Sequence, residues 1–91
     1  MKELLKKLLK YNEENQHRCV GLCNYTSFMY SSRLITFEES NILLNYIKIY
    51  RPTLGSKFYD ESHEDSPFYW SCYDQKIRIA WLKERIKRTP K

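Results

Sequence analysis

The chain has 91 residues, a formal net charge of +5 and a pI near 9.2, with 42% hydrophobic and 15% aromatic residues. That length makes one domain, residues 1–91, with a small core. Two glycines and three prolines argue against a β-sandwich or barrel, and the positive charge points to an anionic partner.

The start, MKELLKKLLK, alternates lysine with leucine and lacks the continuous apolar run of a signal peptide. It predicts a helix over about residues 2–15. Leu4, Leu5, Leu8, Leu9 and Tyr11 form one stripe, and Lys2, Lys6, Lys7 and Lys10 fall mostly on the opposite side. A core-facing helix with a solvated lysine face accounts for this pattern; a basic helix on a membrane or partner groove is the sharper alternative.

A second helix is expected over about Cys19 to Ser32. Leu22, Thr26, Met29 and Tyr30 recur at helical spacing, with Tyr25 and Phe28 beside them. Next, LITFEES places Thr36 as an N-cap with Glu39 three residues on, a capping box, and Ile35 as a staple. Ile42, Leu43, Tyr46, Ile47 and Tyr50 mark the apolar face of that third helix. Pro52 stops it and presses Arg51 into an extended conformation.

From Pro52 to Tyr73 the pattern is irregular, and a loop of such length is usually functional. Its middle, YDESHEDS, is acidic, and its end carries Phe68, Tyr69, Trp70 and Tyr73. These aromatics either lid the core or present ring faces to a ligand. Asp74 is a candidate N-cap for a last helix running to about Lys87. There Ile79, Leu82 and Ile86 form one stripe, and Ile77 and Trp81 a second on nearly the opposite face. Arg78 and Arg85 lie between them. The second stripe needs cover from the loop, a second subunit or a ligand, so a homo-oligomer is expected. The fold class is all-α: three or four helices with one long, partly extended loop before the last.

Metal and catalytic patterns are weak. Cys19, Cys23 and Cys72 lack the paired spacing of structural zinc, and the odd count is a poor disulfide framework. Reduced thiols acting as small apolar fillers are expected instead. His63 sits among Glu61, Glu64 and Asp65 in the acidic loop rather than in a pocket, and Gly21 and Gly55 stand alone. No cofactor, no metal and no enzymatic activity are expected. No stretch reaches the roughly 18 apolar residues of a membrane-spanning helix.

The run GLC at Gly21 to Cys23, LITFEESNILLNYI, the pair Arg51 and Pro52, FYW at Phe68 to Trp70 and RIAWL at Arg78 to Leu82 together resemble a recurrent type of small tailed-phage protein. Its pattern is a glycine–cysteine start, an LIT-x-EE helix, an RP stop and a late YW … R-x-x-WL block. The resemblance covers about residues 21 to 87. The SCYDQK linker departs from it in lacking a proline- or glycine-rich turn.

The resemblance implies phage origin more than a particular activity. By analogy with small, early, non-enzymatic phage proteins that bind and block a host component, a role against host defence in the host cytoplasm is expected. Three modes fit a basic, aromatic-rich helical domain: sequestering a signalling nucleotide, inhibiting a host enzyme directly, or binding nucleic acid through the first helix. The first is preferred. Glu3, Glu13 and Glu14 dilute the lysine face that nucleic acid would need. The candidate ligand site gathers Arg51, Tyr69, Trp70, Arg78 and Trp81: fork donors for an anion and ring faces for a base. Arg78→Ala is expected to weaken a nucleotide and leave stability nearly unchanged.

Overall fold

The computed structural model describes residues 1–16, 21–52, 57–58 and 75–90. They form four helices, α1 (Lys2–Glu14), α2 (Leu22–Ser31), α3 (Phe37–Tyr50) and α4 (Gln75–Arg88), and no strand among the described residues. The all-α architecture expected from periodicity is the one observed. Most of the irregular stretch before α4, with Tyr69, Trp70 and the Asp74 cap, lies outside the described residues.

The stripe of α1 turns inward as its spacing dictates. Leu4, Leu5 and Leu8 are buried, Leu9 and Tyr11 pack partly against the same core, and Lys6, Lys7 and Lys10 are exposed. The helix end is fastened to α2. Asn15 Nδ2 donates to the Tyr11 carbonyl at 2.8 Å, and Tyr25 Oη donates to the Asn15 carbonyl at 2.8 Å. The Tyr11 and Tyr25 rings meet edge to face at 5.9 Å.

The regular part of α2 starts at Leu22, with Gly21 as an extended N-cap (φ −81°, ψ 171°). Leu22, Tyr25, Thr26 and Met29 are buried, and the Thr26 hydroxyl donates to the Leu22 carbonyl at 2.9 Å, which satisfies it inside the core. Cys23 is a buried thiol. Tyr30, expected on this stripe, is instead exposed and packs edge to face on Phe37 at 5.8 Å. Tyr25 takes the core position, because its hydroxyl has a carbonyl to reach there.

The turn into α3 explains how α2 stops. Leu34 N–H bonds the Met29 carbonyl at 2.9 Å and Arg33 N–H bonds the Tyr30 carbonyl at 3.0 Å, with Arg33 at φ 62°. This is a Schellman closure with arginine where glycine is usual, at a local cost of about 1–2 kcal/mol. The capping box follows as the sequence predicts. Glu39 N–H donates to Thr36 Oγ1 at 3.1 Å, and Thr36 N–H donates to Glu39 Oε1 at 2.9 Å. Those bonds hold the Glu39 carboxyl below its usual pKa of 4.5.

Along α3, Leu43, Tyr46 and Ile47 face inward, whereas Ile42 and Tyr50, expected on the same face, are exposed. The helix packs on α2 and, less extensively, on α1, so its buried arc is narrow. Arg51 closes it with extended torsions (φ −55°, ψ 146°) ahead of Pro52, as the proline requires.

The last helix lies chiefly against α1. Its core face is neither of the two stripes but the wide arc joining them. Trp81 and Leu82 are buried at its edges, and Arg78 sits between them with no exposure at all. Ile77, Ile79 and Ile86 are half-buried flanks, and Lys76, Ala80, Lys83 and Lys87 form the solvent side. The apparent split arose because arginines occupy the centre line and read as polar. Trp81 is covered within the single chain, so it does not need a second subunit for cover.

Candidate functional site

The backbones of α3 and α4 do not come into close contact among the described residues. Where they stand apart, at the end of α3, a cleft of about 340 Å³ opens. It is lined by Tyr50, Arg51 and Pro52 from the α3 end, Lys57 and Phe58 beyond it, and Trp81, Glu84, Arg85 and Arg88 from α4. Among the described residues, four cations thus face one carboxylate across a floor of aromatic rings.

Arg85 is anchored in the cleft by a hydrogen bond and two aromatic rings. Its Nε donates to Tyr46 Oη at 2.8 Å. Its guanidinium carbon lies 4.3 Å from the centre of the Tyr50 ring and 5.5 Å from that of Tyr46. The two rings are themselves 4.5 Å apart. One bond and two π-faces therefore fix a half-buried guanidinium while using one of its five N–H donors. Among the described residues its two terminal amino groups make no hydrogen bond.

Arg88 Nε donates to Glu84 Oε1 at 2.9 Å, one helical turn back. That bond holds the Glu84 carboxyl below its usual 4.5, outweighing partial loss of hydration, and the charges of Lys57, Arg88 and Lys87 add to it. Among the described residues, the lining therefore holds one ionised carboxylate and no imidazole or thiol. Such a lining is suited to holding an anion and a flat ring. No group of three or more His, Cys, Asp or Glu residues that could hold a metal ion occurs among the described residues.

Two of the residues singled out in the sequence, Arg51 and Trp81, meet in this cleft. Arg78 does not join them; it lies in the core instead. Tyr69 and Trp70 lie outside the described residues. Sequence reasoning missed Tyr50, Lys57, Phe58, Glu84, Arg85 and Arg88 as site residues. The signal for two of them was present: Arg85 and Arg88 follow Trp81 by four and seven residues and so share its side of the helix.

A second cavity of about 390 Å³ lies between α1 and the turn before α3, lined by Lys7, Lys10, Tyr11, Glu14, Asn15 and Leu34. Its cations are exposed lysines, the better placed of which, Lys7, reaches the Leu34 carbonyl only at 3.5 Å. Preorganisation favours the α3–α4 cleft despite its smaller volume. No described helix is long and apolar enough to cross a membrane. No family model, no curated protein and no solved structure matches the chain.

Proposed function

We propose that this chain is a non-enzymatic binding protein whose α3–α4 cleft takes a nucleotide-like ligand, an anion attached to a flat ring. Following the tailed-phage resemblance, its role is to sequester a signalling nucleotide in the host cytoplasm and so blunt a host defence. The observation that carries the reading is Arg85, a guanidinium locked on Tyr46 and Tyr50 with donors to spare. Charge-assisted bonds of about 1.5–3 kcal/mol each, with stacking of about 1–3 kcal/mol per base, give such a cleft useful affinity.

Titration calorimetry of the full chain against linear and cyclic nucleotides tests this. Binding is expected for at least one, weakened tenfold or more by Arg85→Ala and by Arg51→Ala. Nucleotide binding that survives both substitutions overturns the cleft as its site.

A second reading, direct inhibition of a host enzyme, has its own observation: the large apolar residues Leu34, Phe37 and Ile49 are 50%, 63% and 72% exposed. If no nucleotide binds, and Phe37→Asp with Ile49→Asp removes inhibition of a defence enzyme, that reading takes over.

A further inference from the structure

The cleft already contains an anion of its own. Glu84 stands within the lining, hydrogen-bonded to Arg88 at 2.9 Å and in the field of Lys57 and Lys87. Its side chain keeps 30% exposure while that of Arg88 keeps 66%, so the pair lies at the cleft's open edge, not under it. Arg85, one residue along α4, is committed to two tyrosines and cannot follow a carboxylate. The two guanidiniums thus differ: Arg85 is fixed and has amino groups to offer, whereas Arg88 is largely exposed and occupied by Glu84.

We propose that Glu84 is the specificity residue of the cleft, a resident counter-anion that competes with the ligand's phosphate for Arg88 and tunes the cleft toward anions of low charge. This rests on the cleft being the ligand site. A phosphate monoester can sit on Arg85 and the ring floor and leave the Glu84–Arg88 pair intact. A triphosphate reaches further along the cleft and meets the carboxylate directly. The Coulomb repulsion it then meets grows with its own charge. Replacing the carboxylate by the amide of the same shape removes that repulsion and releases Arg88.

The test uses the full chain and two probes, AMP and ATP, titrated calorimetrically at one salt concentration. Glu84→Gln is expected to tighten ATP by about tenfold, equal to about 1.4 kcal/mol, and AMP by clearly less. Glu13→Gln, the same charge change on exposed α1, is expected to leave both unchanged. Equal tightening by the two substitutions overturns the proposal, because net charge alone then explains it. If Arg85→Ala abolishes binding while Glu84→Gln leaves the AMP-to-ATP preference as it was, the cleft stands and the role of Glu84 falls. If neither probe binds the wild type or Glu84→Gln, both fall. Thermal melts of each variant exclude loss of fold as the cause.

Discussion

Helices α1 and α4 lie against each other and are built from similar material, a dozen or so residues of cations and large aliphatics. They bury that material differently. The first hides three leucines and keeps Lys6, Lys7 and Lys10 in water. The last hides an arginine completely, holds another half-buried on two tyrosine rings, and leaves three isoleucines as partial flanks. The difference is one of chemistry. A lysine ammonium is a compact, strongly hydrated charge. A guanidinium is flat, weakly hydrated and able to stack. Reading both residues as polar therefore works for α1, where every cation is a lysine, and fails for α4, where the cations on the inner face are arginines.

The largest expected effect is at the joint between core and cleft. Trp81 is 3% exposed and also lines the cleft. Trp81→Ala should lower stability by about 3–5 kcal/mol in urea unfolding and weaken ligand binding together. Leu8→Ala, fully buried on α1, should cost about 2–5 kcal/mol and leave binding alone. Loss of binding without loss of stability at Trp81 would separate the two functions of that ring.

Exchanging the cations tests this difference between the two helices directly. Arg78→Lys should cost about 1–3 kcal/mol, because a compact, strongly hydrated ammonium is costlier to bury than a flat, weakly hydrated guanidinium. Lys6→Arg, on an exposed side chain, should change stability by less than about 0.5 kcal/mol. Equal effects would remove the distinction drawn between the helices. The burial of Arg78 also reverses the expectation that Arg78→Ala spares stability.

On α1 the one irregularity is Asn12, fully buried, with both side-chain polar atoms outside any hydrogen bond among the described residues. Asn12→Leu should raise stability by about 1 kcal/mol by removing an unsatisfied amide, as read from the urea midpoint. A loss instead would show that the amide has a buried partner such as water.

The smallest effect is that of pH on the Glu84–Arg88 pair. Hydrogen bonding by Arg88 lowers the folded-state pKa of Glu84. Its contribution is therefore complete above the usual 4.5 and is lost as pH falls through the lowered value. The urea midpoints of wild type and Glu84→Gln should converge on acidification through that window. A gap that stays constant from pH 7 to pH 3 would assign the difference to packing.

Local chemistry alone determined much of this protein. The α1 stripe, the Thr36–Glu39 capping box and the extended Arg51 before Pro52 are interactions among residues a few positions apart, so a linear pattern records them. Which of Tyr25 and Tyr30 enters the core depended on an acceptor carbonyl at Asn15, ten residues away from Tyr25. The inner face of α4 depended on what α1 offered it, and the anchoring of Arg85 on tyrosine rings supplied by α3, 39 residues upstream at Tyr46. The cleft exists only because α3 and α4 stand apart while long side chains bridge the gap. Spacing along a chain cannot express that relation, since it is a distance between two helices and not a period within one.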